Sequence, residues 1–497
     1  MIKNFKWLLL ISLTFAACNN DDEVITEEPL TAGTADFSKY VALGDSFAAG
    51  YSDGALFKAG QKNSYPNILA GQFALVGGGA FTNPFMADDN RGGFSIGGNQ
   101  VPQFPTRLYF NGAGPVNVSG VSGTVFGASI SGSYSNMGVP GAKAIHLGVA
   151  GYGRANPYFG RFAKTAMSSV IKDATDQNPT FFSLFIGGND VLGYATNGGI
   201  PTSQDPVAGN DITPTGTFNA AYNALATALA AGGKKGVVAN LPYINNLPFF
   251  TTVPFNPVPL DAATATQLNT QLLGPVKQIL TALGAGSRIK ILTASATNPL
   301  LIRDETLVNY SAQITGALTA AGVPAQQAAL MGNLYGQARH ANGGANVTDK
   351  DFVLLTTRTV IGTPQAGVPP PFNTVGVTFP LQDNRVLTAS EILEIKLATD
   401  AYNVTIKAAA ESNNLAFVDT ASILNQLNNG GIRFGTFHMT AAYVTGGTFS
   451  LDGVHPSPRG YALIANKFLE AINAKYGSNL KGVDLGLYGI QYPATIQ

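Results

Sequence analysis

From residue 38 onward the hydrophobic positions fall into two alternating patterns. Short strand-like runs occur at Lys39–Leu43, Tyr134–Val139, Thr180–Ile186, Gly236–Leu241 and Leu415–Val418, and all but the second, which carries Ser135 and Asn136, are nearly continuously apolar. Runs of this length are expected of strands buried on both faces, as in a parallel sheet. Helical spacing marks Ser64–Phe73, Ser168–Asp176, Thr217–Ala231, Ser390–Asn413 and Ser457–Lys475. The Ala/Leu helix over Thr217–Ala231 is stopped by Gly232 and Gly233. Strands alternating with helices predict an α/β fold, a parallel sheet joined by right-handed crossovers.

Two stretches break this rhythm. Residues 77–133 are rich in Gly, Ser, Asn and Pro and carry no sustained helix. Residues 243–383 are Pro- and Thr-rich, with local helical spacing around Ala262–Leu283 and Leu307–Ala321. Both are expected to be loop-rich insertions decorating one α/β domain over 38–480, with a tail over 481–497. A separately folding middle domain is the alternative.

The N-terminus follows a third pattern. Lys3 and Lys6 precede the apolar run Trp7–Phe15, and Ala16-Ala17 precede Cys18, the single cysteine. The run is short for a bilayer span and has the layout of a secretory signal. Ending at Cys18, it resembles a bacterial lipoprotein signal. Residues 1–17 would then be removed and Cys18 would carry the lipid. Residues 18–37 read as a flexible acidic tether. The acids after Cys18 resemble a surface-export signal of some Gram-negative lipoproteins, with chance as the competing explanation. The expected location is the cell envelope, anchored to a bacterial outer membrane, on either face.

Composition narrows the function. The 497 residues hold 29 basic and 29 acidic side chains and are only 12% charged. Nothing points to a nucleic-acid partner. Losing Lys3 and Lys6 with the signal leaves the mature chain slightly acidic. One cysteine excludes a disulfide within the chain. The 58 glycines fit a loop-rich molecule.

Four short motifs sit at predicted strand or helix ends. Gly44-Asp45-Ser46 follows the first run, placing Ser46 at the carboxyl edge of the sheet, where α/β proteins bind ligands. Taken alone, Ser46 serves equally as a helix N-cap. Asn136 to Ala142 (NMGVPGA) holds Gly138 and Gly141, either of which offers an N–H to an oxyanion, and alone reads as a turn. Gly187-Gly188-Asn189-Asp190 follows the third run, and the Asn189 amide suits the same task. Asp452-Gly453-Val454-His455 opens the last helix, where a carboxylate three residues before a histidine can orient its imidazole. That spacing also suits a metal pair, but no further His or Cys clusters with it.

In this order, the four motifs resemble those of the SGNH (GDSL-type) serine hydrolases, over roughly residues 38–75, 130–245 and 385–475. Val238 to Pro242 resembles the family's fourth strand. Phe47 stands where that family's motif has Leu. The resemblance implies a three-layer α/β/α flavodoxin-like fold. It also implies a Ser46–His455–Asp452 triad and an oxyanion hole from the Ser46 and Gly141 N–H groups and the Asn189 side chain, with no metal or organic cofactor. The implied reaction is ester hydrolysis by a carboxylesterase or lipase. A carbohydrate esterase removing acetyl groups from polysaccharide is the alternative, and a non-catalytic surface-binding lipoprotein is a third reading. The residues after the fourth run should reach the same sheet edge, so Tyr243, Phe249 and Phe250 are candidates for an acyl pocket, with simple packing as the rival reading. Oligomeric state is open.

Overall fold

Five short strands pair side by side to make the centre of the molecule. They are β1 (Tyr40–Gly44), β2 (Asn136–Gly138), β3 (Phe181–Phe185), β4 (Lys235–Ala239) and β5 (Ala416–Val418). All pairings are parallel and run in the order β5-β4-β3-β1-β2. That is the flavodoxin-like 2-1-3-4-5 arrangement. Gly44 pairs with Phe185 on one side and Gly138 on the other, so the carboxyl ends of three strands lie level. The computed structural model describes residues 29–87, 90–203, 205, 208–346 and 349–496. The expected signal and Cys18 lie outside the described residues.

Helices cover both faces of the sheet. Helix α1 (Ser46–Ala49) is one turn after β1, and α2 (Tyr65–Ala74) follows. Helices α3 (Val170–Thr175) and α4 (Asn189–Thr196) flank β3, and α5 (Thr215–Ala230) leads into β4. The C-terminal part adds α6 (Ala389–Ser412), α7 (Thr420–Asn428) and α8 (Pro458–Tyr476). Helices α2 and α8 pack together on one face, and α3, α5 and α6 on the other. Both faces of β1 and β3 are therefore buried, which explains their unbroken apolar sequences. Helix α8 begins cleanly because Ser457 accepts from Gly460 N–H and Pro458 occupies the first turn.

The first insertion holds two small hairpins, Ser95–Ile96 with Asn99–Gln100 and Leu108–Phe110 with Pro115–Asn117. Its anchor is Arg107, fully buried, whose guanidinium donates to the Asn90, Pro493 and Ala494 carbonyls. The C-terminal tail is thereby tied back onto the body. The second insertion packs hydrophobic clusters of its own, around Leu273, Ile314 and Tyr335 and around Leu300, Val353 and Leu381. It also contains a helix over Ala325–Tyr335 that the sequence pattern did not single out.

The tether is shorter than expected. Residues 31–37 belong to the folded body rather than to a flexible linker. Thr34 N–H donates to the Tyr476 carbonyl, and buried Phe37 stacks on Phe73 at 4.0 Å. The apolar pair Ala35 and Phe37 outweighs the polar composition around it.

Candidate active site

Ser46 lies two residues beyond β1, and Asn189 opens α4 beyond β3. The chain leaves β1 toward β2 on one side and returns to β3 on the other. The carboxyl ends of β1 and β3 therefore flank a switch point, where a crevice forms in sheets of this kind.

The helix cap at this point is Asp45. Its Oδ1 accepts from Phe47 N–H at 3.0 Å. Ser46 thus sits at the first helical position with its hydroxyl uncommitted to the helix. His455 Nε2 lies 2.8 Å from Ser46 Oγ, and His455 Nδ1 lies 2.8 Å from Asp452 Oδ2. The imidazole packs between Tyr51 and Phe47, at 4.6 and 5.5 Å between ring centres.

Asp452 is saturated with donors. Its Oδ1 accepts from Val454 N–H, His455 N–H and Ser450 Oγ–H, at 2.9, 2.8 and 3.1 Å. Its Oδ2 also accepts from Gly54 N–H at 2.9 Å. Burial by itself raises its pKa, but His455 and these hydrogen bonds more than offset that and hold it at about 2. Ser450 Oγ in turn accepts from Asp53 N–H at 2.9 Å, and the Asp53 carboxylate accepts from Leu451 N–H. Burial raises the Asp53 carboxyl to about 7, with Asp452 nearby adding to the rise.

The donor side is built differently. Gly138 packs so tightly on α1 that a Cβ would meet Ala49 N at 2.3 Å, and its N–H is spent on Asn136 Oδ1 at 3.0 Å. Gly141 is exposed, has φ +79°, and its N–H has no acceptor among the described residues. The same holds for the Ser46 N–H. Of the two glycines weighed from sequence, Gly141 is the one with an N–H to give. Asn189 donates one amide hydrogen to the Ala142 carbonyl at 3.0 Å, leaving the other uncommitted. Asp190 accepts from Ala144 N–H at 2.9 Å, so adjacent residues of α4 pin the 140–144 turn twice. Burial raises the Asp190 carboxyl to about 6.

Asn156 is a residue the sequence did not reveal. It is buried, and its Nδ2 donates to the Pro140 carbonyl at 2.9 Å. In a trans peptide the C=O and N–H point opposite ways. Holding Pro140 O therefore sets the direction of the Gly141 N–H. The Asn156 Oδ1 also caps the turn Pro157–Gly160. A lone Asn fifteen positions beyond Gly141 carries no sequence signal for this.

The aromatic pocket candidates do not gather at Ser46. Tyr243 donates its hydroxyl to Asp400 Oδ1 at 2.6 Å, beside Lys396. Phe250 is fully buried against Phe249 and Phe352. Phe249 reaches the site only through its backbone, its N–H donating to the Gly453 carbonyl at 2.9 Å. The chain turns at Ile244–Asn246 and again at Pro248–Thr251, and of this stretch Ile244 and Leu247 line the space beside Phe47.

The other histidines stand apart. His146 Nδ1 accepts from Lys143 N–H, and buried His340 Nδ1 accepts from Lys290 N–H. His438 Nε2 contacts the Gly430 carbonyl. Glu305, Asp383 and Glu391 bring carboxylate oxygens within 4.8 Å where the second insertion meets α6, and that group has the donor set for a hard cation.

No family model and no curated protein matches the chain. Among solved structures it is similar to a mutant of an acetyl-xylooligosaccharide esterase from Geobacillus Stearmophilus, at 13% identity and a TM-score of 0.33, over 88% of this chain and 95% of that one. A likeness of that size carries no argument about the reaction, which has to come from the geometry.

Proposed function

We propose that the protein is a serine ester hydrolase of the SGNH type, with Ser46 as nucleophile, His455 as general base and acid, and Asp452 as the group that orients His455. One observation carries this reading. An unbroken hydrogen-bonded chain runs Asp452–His455–Ser46, and the N–H groups of Ser46 and Gly141 have no partner among the described residues.

The reaction follows from these positions. Ser46 Oγ attacks the ester carbonyl carbon as His455 Nε2 takes its proton. The Asp452 carboxylate, ionised at any pH well above 2, stabilises the imidazolium through Nδ1. The carbonyl oxygen becomes an oxyanion facing Ser46 N–H, Gly141 N–H and the Asn189 amide. His455 returns the proton to the departing alcohol. Water then loses a proton to His455, attacks the acyl-enzyme, and releases the acid and Ser46. A p-nitrophenyl ester in molar excess over the enzyme should give a burst of one p-nitrophenolate per chain where deacylation is the slower step, absent from Ser46→Ala.

We also propose that Cys18 carries a lipid anchor. The supporting features are the basic start, the apolar run and Ala-Ala before the cysteine. The described chain enters next to Tyr476, at the end of α8 remote from His455. Metabolic labelling with a fatty acid, lost in Cys18→Ala, tests the anchor.

A further inference from the structure

Two narrow apolar slots adjoin the crevice. The first, of about 40 Å³, is walled by Asp45 and Phe47 on either side of Ser46, by Gly188 just before Asn189, and by Val454 just before His455. Leu192 and Ile244 close its far side. The second, of about 50 Å³, shares Phe47, Phe185, Pro242 and Leu247 with the first and extends between α7 and α8 past Ile423 to Lys467. Apart from Thr420, Thr448 and Lys467, its walls are wholly hydrocarbon.

We infer that the two slots form one acyl-binding site, in which the hydrocarbon chain of the ester passes from Ser46 between Phe47 and Leu247 toward Ile423. The proposal rests on the ester-hydrolase reading and names the substrate's acyl half. Three features support it. The inner slot is walled by Phe47, whose ring packs on His455 at 5.5 Å, and by the sequence neighbours of Ser46, Asn189 and His455, so it lies beside the reacting groups. Its walls offer a polar acyl group almost nothing to bond with, which favours a plain hydrocarbon chain over a sugar. The size limits the chain. About 10–15 Å³ of such space holds one water-sized group, so the two slots take roughly six to eight carbons. Longer chains have to emerge beside Lys467.

A series of p-nitrophenyl esters from acetate to dodecanoate tests this. Each accepted methylene should raise kcat/KM roughly three- to fourfold, with a maximum at hexanoate or octanoate and a fall beyond. Leu247→Trp fills the passage between the slots and should lower the octanoate-to-acetate ratio at least tenfold. Ile423→Trp, at a partly exposed position, should lower the octanoate-to-butyrate ratio at least threefold, and it decides the matter if Leu247→Trp fails to fold. A wild-type preference for acetate, or ratios unchanged within twofold in a folded variant, overturns the acyl site. Ser46 labelling by a fluorophosphonate separates the two readings. A labelled enzyme with a flat chain-length profile retains the hydrolase and loses the slot. An enzyme that is not labelled loses both.

Discussion

The two halves of the crevice treat hydrogen-bonding capacity in opposite ways. On the Asp452 side both carboxylate oxygens of Asp452 are filled, by the N–H groups of Gly54 and Val454, the Ser450 hydroxyl, and the backbone N–H and Nδ1 of His455. On the Gly141 side the donors of Ser46 and Gly141 have no acceptor among the described residues, and Asn189 keeps one amide hydrogen in reserve. Unmade hydrogen bonds are costly in a buried place and cheap where a ligand or water supplies the partner. On the proposed reading the saturated half holds a geometry, and the open half meets a charge that exists only during reaction. The open half is itself held from behind, by Asn156 on Pro140, Asn189 on Ala142 and Asp190 on Ala144.

Substitutions should separate the halves in size and kind. His455→Ala removes the only hydrogen-bond partner of the Ser46 hydroxyl among the described residues and should lower kcat on a p-nitrophenyl ester by a factor on the order of 10⁴. Retained turnover within tenfold would mean that the saturated half does not drive the chemistry. Asn189→Ala should cost about 10²–10³ in kcat, with KM little changed, because its free amide hydrogen is used only in the transition state. Loss of KM alone would make Asn189 a ground-state contact.

Asn156→Asp sharpens the comparison further. The carboxylate keeps an acceptor for the Tyr158 and Phe159 N–H groups but no longer donates to Pro140. It should lower kcat about tenfold with KM retained, since the Gly141 N–H loses its fixed direction. An equal loss of thermal stability and activity, relieved together on cooling, would reduce Asn156 to a structural cap.

The smallest effect concerns stability alone. The folded Asp53 carboxyl sits at about 7, above its unfolded value near ~3.9. A group raised in this way contributes stability that is complete below the unfolded value and is lost as pH climbs through the folded one. Asp53→Asn keeps the acceptor for Leu451 N–H and removes the charge. Its Tm should exceed that of the wild type by roughly 2–3 °C at pH 8, with the difference shrinking as pH falls and vanishing below about pH 4. The opposite ordering would mean that the ionised carboxylate is the form the fold prefers.

Strands β1, β3, β4 and β5 were legible because they are buried within the sheet and carry nearly unbroken apolar sequences, whereas β2 is Asn136-Met137-Gly138 and lacks that signature. Ser46 and Asn189 lie just past β1 and β3 and take their position from the sheet edge, whereas His455 precedes α8 and was marked only by its spacing from Asp452. The cap function was not legible. Asp45 and Ser46 are both good N-caps, and only the backbone shows that Asp45 takes the role. The support from Asn156 depends on a chain reversal between Gly141 and Pro157, where no periodicity guides a reader. Tyr243, Phe249 and Phe250 were misplaced for a related reason. Two tight turns follow β4, and it is Ile244 and Leu247 that line the slots. Thr31 to Phe37 looked like linker because its composition is polar, although two apolar side chains suffice to dock it.

The central claim is that Ser46 is the nucleophile and that His455 activates it. Reaction with a fluorophosphonate, followed by intact mass and peptide mapping, tests this most directly. A single phosphonyl group on Ser46, absent from Ser46→Ala and formed at least a hundredfold more slowly in His455→Ala, is the predicted result. No adduct on the folded wild type, or an adduct on a different side chain that persists in Ser46→Ala, would contradict it.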